Sequence, residues 1–122
     1  LVYPIPEVGW DVNSKIFVNR NNKFSLKSKL ESLEYVTTSY EVFKERNKSS
    51  FDLLNSIQMP NIYRVYPHKL FCDTKISDRC ITHDDENIFY IDDDHVSAKG
   101  AEMINNLIID KIKEIEFKKS DN

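Results

Sequence analysis

Blocks of apolar and polar positions along the chain predict two buried strands. Residues 1–5 form an apolar run that prolines at positions 4 and 6 bring to an end. Residues 61–66 are rich in β-branched and aromatic side chains and are also bounded by prolines, which predicts a second strand. A strand at the start of the chain implies partner strands upstream, so we expect a piece of a larger sheet.

Helical periodicity occurs in three further places. Apolar residues recur near helical spacing in residues 39–58, behind a capping-box spacing of Thr38 and Glu41. A final helix is predicted from about Ser97, with one face that buries Ile104, Leu107, Ile108, Ile112 and Ile115. A short third helix is suggested by the spacing of Leu26, Leu30 and Leu33.

The order of these elements predicts the fold class. Strand, long loop, helix, strand, loop and helix follow one another, with residues 87–91 as a third, short extended piece. This alternation is typical of an α/β fold with a parallel sheet. Because two strands cannot stabilise such a sheet alone, we expect sequence outside the chain to complete it.

Composition narrows the function classes. At 122 residues, 40% hydrophobic and 30% charged, the chain fits a single domain with a modest core. A net charge of -3 and scattered lysines and arginines argue against nucleic acid as a partner. No apolar run approaches the roughly 18 to 20 residues of a membrane span. Only two glycines are present, far below the usual share, which favours part of an α/β enzyme domain over the whole.

Asp92 and His95 carry the sharpest chemical hypothesis. They lie three positions apart, where an extended segment gives way to a helix. A short turn there can place the Asp92 carboxylate on one imidazole nitrogen and leave the other free to accept a proton from a nucleophile. No serine or cysteine in the chain has the setting of an activated nucleophile. The alternative is a solvated acidic turn, in which Asp93 and Asp94 favour the helix N-terminus by about 0.3 to 1 kcal/mol each.

Three other features are candidate sites. Residues 83–86 and 92–95 offer enough carboxylate and imidazole groups for a divalent cation, but neither has a recognised metal-site spacing, so we predict no metal and no cofactor. Cys72 and Cys80 are either two ordinary thiols or, in an oxidising compartment, a loop-closing disulfide. His68 follows the end of the second strand, where a ligand-binding residue could lie, but a lone histidine at such a position is more often a surface residue, so we expect it at the surface.

Taken together, three segments resemble the C-terminal half of an SGNH domain. The most similar family is the SGNH domain fused behind the membrane part of bacterial acyltransferase-3 proteins, which O-acylate cell-envelope glycans. The segments keep the family's order and span nearly the whole chain. They are YPIPEVGWDV at residues 3–12, FCD at residues 71–73 followed by Cys80, and YIDDDHVSAKGA at residues 90–101.

The resemblance implies a fold and a set of site residues. Residues 1–122 would be the C-terminal portion of a three-layer α/β/α SGNH-hydrolase fold, which is flavodoxin-like and has a parallel sheet. Asp92 and His95 would be the acid and base of a Ser-His-Asp triad. The family's serine, in a Gly-Asp-Ser block, and its oxyanion-hole glycine and asparagine belong to the N-terminal half and have no counterpart here, so the chain alone is expected to be inactive.

The resemblance also implies partners and a location. The parent protein would transfer an acyl group, such as acetyl, to a hydroxyl of lipopolysaccharide or peptidoglycan. The acyl donor and the glycan acceptor would be reached through the N-terminal half and the membrane domain. The setting would be the periplasmic face of the inner membrane, where Cys72 and Cys80 are expected to be bonded. The alternatives are an SGNH esterase that transfers the acyl group to water, and a non-catalytic structural remnant.

Overall fold

The computed structural model describes residues 1–17, 30 and 34–120. In chain order its elements are α1 (Val12–Ile16), β1 (Thr37–Ser39), α2 (Tyr40–Arg46), α3 (Lys48–Ser56), a 3-10 helix (Pro67–Leu70), β2 (Arg79–Ile81) and α4 (Ala98–Ser120). Of the short helix predicted around residue 30, Leu26 and Leu33 lie outside the described residues, while Leu30 is helical and buried.

The two predicted strands lie side by side but do not form a regular sheet. Val2 and Val65 make an isolated parallel bridge, in which the Tyr3 amide donates to the Val65 carbonyl at 2.9 Å and the Val65 amide donates to the Leu1 carbonyl at 2.8 Å. Prolines 4 and 6 lack the N–H groups that would extend the pairing. Leu1, Val2 and Tyr63 are 37%, 50% and 39% exposed, so the prediction of two buried strands is wrong for these residues.

The regular sheet in the described part of the chain is antiparallel rather than parallel. β1 pairs with β2 in a register that places Thr38 opposite Cys80. The Arg79 side chain strengthens this pairing, since its guanidinium donates to the hydroxyl and the carbonyl of Thr37, both at 2.9 Å. The predicted parallel sheet is therefore represented here by one bridge, and the three-residue strands of the observed sheet have no counterpart in the sequence prediction.

A disulfide joins Cys72 and Cys80. The two residues form an antiparallel bridge, flanked by hydrogen bonds from Asp73 to Arg79 and from Ile81 to Phe71. They therefore occupy a narrow, non-hydrogen-bonded position of the ladder, where Cα atoms approach most closely. Their Cα separation of 3.8 Å is accordingly below the usual range. Of the two states that the spacing left open, the structure has the bonded one.

The predicted helix over residues 39–58 is divided at Asn47. Ser39 caps its first half by accepting a hydrogen bond from the Val42 amide at 3.3 Å. The predicted cap, Thr38, is instead paired in β1, so the capping-box prediction is wrong by one residue. Asn47 ends α2, and its side-chain amide donates to the Phe43 carbonyl at 3.1 Å.

The last helix, α4, begins where the sequence predicts and is less buried than predicted. Ser97 precedes it, accepting from the Gly100 amide at 3.1 Å and donating to the Ile88 carbonyl at 2.7 Å. Ile112 is 49% exposed, and partial exposure extends to the other predicted core positions, Ile104, Leu107, Ile108 and Ile115. The described elements cover only part of this apolar face. No helix within the described ranges is long and apolar enough to cross a membrane.

The core connects the first segment of the chain with the segment before α4. Its buried members come from both regions and from the disulfide-linked loop, and they include Val8, Val12, Ile16, Phe71, Ile81, Phe89 and Tyr90. The buried Tyr90 hydroxyl donates to the Pro6 carbonyl oxygen at 2.9 Å. Two segments separated by more than eighty positions are thereby fixed against each other, and they carry the candidate site.

Candidate active site

A tight loop between Tyr90 and Val96 displays the candidate acid and base. These two residues form an antiparallel bridge, and the Ile91 amide donates to the His95 carbonyl at 2.8 Å. Inside the loop, Asp92 Oδ1 accepts from the backbone amides of Asp94 at 3.1 Å and His95 at 2.8 Å. Aspartate favours such turns because its short side chain reaches amides two and three residues on.

The Asp92 carboxylate and the His95 ring are in contact. His95 Nδ1 lies 3.0 Å from Asp92 Oδ2 and 3.2 Å from Asp92 Oδ1. Asp94 Oδ1 is a second acceptor, 2.7 Å from the same nitrogen. With Nδ1 donating to carboxylates, Nε2 is left as the nitrogen that can accept a proton. The predicted contact is thus present in the structure, and its catalytic role stays a prediction.

The electrostatics of the loop favour an ionised acid and a basic imidazole. The backbone amides of His95 and Asp94, followed by the imidazole itself, lower the pKa of Asp92 to about 2. The hydrogen bond to Asp92 raises the pKa of His95, and the negative charges of Asp92, Asp94 and Asp93 add to that effect. The His95 side chain is 72% exposed, so the described residues leave the imidazole open to solvent.

Hydrogen bonds from the N-terminal segment support the loop between Tyr90 and Val96, which we call the acid–base loop. The amides of Val8 and Gly9 both donate to the Asp93 carbonyl, at 2.7 and 3.3 Å. Gly9 has a positive φ of 78°, a conformation that glycine adopts without strain. The Asn13 side-chain amide donates to the Ile91 carbonyl. The segments at residues 3–12 and 90–101 are therefore one structural unit.

Two of these supporting residues were missed by the sequence analysis, and each has a local signal. Asn13 is held by α1, whose N-cap Asp11 accepts from the Ser14 amide. An Asp three positions before a Ser is a recognisable capping arrangement, and it lowers the pKa of Asp11 through hydrogen bonds to Ser14. The lone glycine in a proline-rich loop was the signal for Gly9.

The two clusters that the sequence offers as metal sites differ in the structure. The ligand atoms of Asp92, Asp94 and His95 lie within 4.8 Å of one another. Within the part of the chain that the structure describes, this is the group of side chains that could hold a metal ion. His83 instead is buried and structural: its Nε2 accepts from the Val36 amide at 3.1 Å and its Nδ1 contacts the Asp84 carbonyl at 2.9 Å. Residues 83–86 therefore add no ligand to the exposed cluster.

His68 is buried, whereas the sequence predicted a position at the surface. It is only 4% exposed, because the 3-10 helix turns its ring inward among aromatic side chains instead of presenting it to solvent. Burial lowers the pKa of His68, and the neighbouring charge of Lys69 adds to the effect. The predicted surface position is thus wrong, since proline and aromatic residues on both sides made the end of the second segment part of the interior.

Comparison with known protein families supplies a family for the chain. The family described as "SGNH domain (fused to AT3 domains)", where AT3 denotes acyltransferase-3, matches residues 1–110. No curated protein and no solved structure gives a significant match. The matched range includes the disulfide, the N-terminal loop and the acid–base loop, and it implies an α/β hydrolase-like fold. The chain therefore belongs to the family of SGNH domains that are fused to acyltransferase-3 domains.

Proposed function

We propose that the chain is the C-terminal part of an SGNH domain that transfers an acyl group to a hydroxyl of a cell-envelope glycan. The single observation that carries this proposal is the contact of 3.0 Å between His95 Nδ1 and Asp92 Oδ2. It joins an orienting carboxylate to an imidazole within a family associated with acyltransferases. Lipopolysaccharide and peptidoglycan are the acceptors we favour, with acetyl as the acyl group.

The chemistry assigns a separate step to each side chain. A serine outside these 122 residues attacks the acyl carbonyl while His95 Nε2 takes the hydroxyl proton. Asp92 holds the Nδ1–H and stabilises the imidazolium that forms. His95 then returns the proton to the leaving group. In the second half of the reaction it takes a proton from the glycan hydroxyl that attacks the acyl-enzyme, and it gives that proton to the serine oxygen as the acyl–serine bond breaks. The acyl group thus moves from donor to serine to sugar.

The serine nearest to the pair in sequence does not suit the role of nucleophile. The Ser97 hydroxyl donates its proton to the Ile88 carbonyl and accepts from the Gly100 amide, so it is engaged at the start of α4. A nucleophilic serine needs its proton directed at the base. This engagement supports a nucleophile supplied by another part of the protein.

The packing supports a larger parallel sheet as the proposed context. Val2 and Val65 already pair in parallel, and Val2 is half exposed. The apolar face of α4 is only partly covered, with Ile112 near half exposure. Additional strands and a further helical layer would bury both surfaces. A three-layer α/β/α arrangement completed by preceding sequence fits these features.

The proposed location and partners follow from the disulfide and the family. Disulfides persist in oxidising compartments, and Cys72–Cys80 is one. The family's fusion to acyltransferase-3 domains supports a membrane acyltransferase domain as a partner in the same protein, and we propose that this domain delivers the acyl group. We therefore propose the periplasmic face of the inner membrane as the site of action.

An esterase is the second candidate, and the exposure of His95 favours it. At 72% exposed, the imidazole is accessible to water, which could replace the glycan hydroxyl as acyl acceptor. The two reactions share the acyl-enzyme and differ only in what attacks it. The same experiment can therefore separate them.

The test uses the full-length protein that contains this chain, in membranes, with an isotopically labelled acyl donor. His95→Ala should lower label transfer to envelope glycan by about a thousandfold or more, as triad losses do. Lys113→Ala, at an exposed position of α4, is the matched control and should retain transfer. Release of free labelled acid without glycan labelling would identify an esterase. Full transfer by His95→Ala would overturn the assignment of the base.

A further inference from the structure

His68 is enclosed by four aromatic rings. The ring centroids lie 5.3 Å away for Phe51, 5.5 Å for Phe43, 5.9 Å for Tyr66 and 6.0 Å for Tyr40. Phe43 belongs to α2 and Phe51 to α3, so the helices on both sides of Asn47 contribute a ring to this enclosure. The cluster uses none of the residues of the acid–base loop.

Beside this cluster lies a cavity of about 260 Å³. Its walls combine aromatic rings with two lysines, and they consist of Tyr40, Lys44, Lys48, Phe51 and His68. Such a mixture of flat apolar walls and a few polar groups is typical of a small-molecule site. The cavity is large enough for one ring-sized ligand and too small for an extended chain.

The polar atom that most needs a partner is His68 Nδ1. It is buried and has no hydrogen-bond partner within the described part of the chain. Buried polar atoms are nearly always paired, so an unpaired one marks a place where a ligand group or water belongs. Because burial lowers the pKa of His68, the ring is neutral at pH 7 and suits a hydroxyl group rather than an anion.

The lysines bring positive charge to the same cavity. Lys44 Nζ lies 4.6 Å from the centroid of the Tyr40 ring. Lys48 pairs with Asp52 at 2.7 Å, but both side chains are well exposed, at 76% and 62%. An exposed pair of this kind is weak, so a ligand carboxylate can replace Asp52 as the partner of Lys48 at little cost.

We infer that this cavity binds an acidic sugar, such as a uronic acid. The sugar carboxylate faces Lys44 and Lys48, its C–H face packs on the rings of Phe51 and Tyr40, and a ring hydroxyl bonds to the His68 imidazole. An acyl chain would leave the imidazole unpaired and would gain nothing from the positive charge of the lysines. The inference stands on the cavity alone and does not depend on the catalytic role of Asp92 and His95.

The binding experiment measures ligand affinity with the full-length protein, by saturation-transfer NMR titration. The probes are methyl glucuronide, the uncharged methyl glucoside and 4-hydroxybenzoate. Methyl glucuronide should bind, and the glucoside should bind at least about tenfold more weakly, because it lacks the charge that the lysines recognise. Equal affinity for the two sugars, or tighter binding of 4-hydroxybenzoate, would overturn the assignment of an acidic sugar. Absence of binding by all three would overturn the site.

Variants locate the binding within the protein. The double variant Lys44→Met/Lys48→Met should weaken glucuronide binding by about tenfold or more. Lys113→Met is the control, because Lys113 is exposed on α4 and does not line the cavity. Unchanged affinity in the double variant would contradict the inference.

Two further variants address the imidazole and the independence of the site. His68→Gln retains a hydrogen-bonding group and should keep more affinity than His68→Phe, which removes it. If either variant fails to fold, the lysine variants still decide the matter. Asp92→Asn should leave binding unchanged, so a failure of the catalytic proposal and a failure of this one give different results.

Discussion

The Tyr90 hydroxyl donates a buried hydrogen bond to the Pro6 carbonyl oxygen at 2.9 Å. Tyr90 directly precedes the acid–base loop, and Pro6 begins the loop whose amides bind the Asp93 carbonyl. Burial raises the pKa of Tyr90, so the phenol stays protonated and remains a donor. This one bond therefore connects the two segments that define the candidate site.

Tyr90→Phe should destabilise the protein. The substitution keeps the ring but leaves a buried carbonyl oxygen unpaired, which costs about 1 to 3 kcal/mol in unfolding free energy. Denaturant titration of the intact protein measures the change. Tyr35→Phe is the matched control, because its hydroxyl bonds to the Asp85 carboxylate at an exposed site, and it should cost less. An equal loss of unfolding free energy in the two variants would show that the hydrogen bond to Pro6 contributes no more than an exposed one.

Gly100→Ala should also be destabilising, for a steric reason. A Cβ at Gly100 would collide with the Phe89 carbonyl oxygen and press on Val96. The collision is with backbone, which cannot rotate away, so we expect a loss of about 1 to 3 kcal/mol. Thermal unfolding compares this variant with Glu116→Ala, at an exposed position of the same helix. A stability gain in Gly100→Ala, as expected for alanine in an open helix, would contradict the close approach.

The disulfide gives a third prediction. Cys72 and Cys80 are the two cysteines of the chain, so protein isolated without reductant should show no reactive thiol from it after denaturation. Reduction should lower the unfolding free energy by about 2 to 3 kcal/mol, the chain-entropy value for a loop of this length. A Cys72→Ala/Cys80→Ala variant, which reductant should not affect, is the control. Two free thiols in the unreduced protein would contradict the bond and weaken the proposed location.

The features that the sequence predicted correctly depend on residues that are close together in the chain. The Asp92–His95 contact spans three positions, and the start of α4 depends on Ser97, Gly100 and neighbouring backbone, so local spacing was sufficient. The buried location of His68 depends on its contacts with rings from α2, α3 and its own segment. No local sequence pattern predicts contacts between residues so far apart.

The pairing of β1 with β2 also depends on residues far apart in the chain, so local sequence patterns did not predict it. β1 and β2 are three residues long and pair across forty or more positions, so they are too short and too distant for an alternation signal. The parallel pairing of Val2 with Val65 was implied by the two apolar runs, but the prolines in the first run restricted it to one bridge. The exposed face of α4 follows a clear helical period, yet periodicity alone does not reveal how much of the face its neighbours cover.

The last prediction concerns the titration of His95. Its pKa should lie above the ordinary value of about 6.5, because the Asp92 hydrogen bond and the carboxylates favour the imidazolium. Asp92→Asn should lower that pKa, since asparagine can still accept from the backbone amides of the loop while its charge is lost. Asp94→Asn should lower it less, and Asp110→Asn, remote in sequence on α4, should not change it.

Imidazole NMR over a pH series measures these pKa values and identifies the nitrogen that carries the proton. Because folding raises the pKa of His95, its stabilising contribution is fully present below the unfolded pKa and is lost as the pH rises through the folded value. The neutral ring should be protonated at Nδ1, which leaves Nε2 as the base. A His95 pKa that does not respond to Asp92→Asn, or a neutral ring protonated at Nε2, would separate the two side chains and remove the basis for the proposed catalysis.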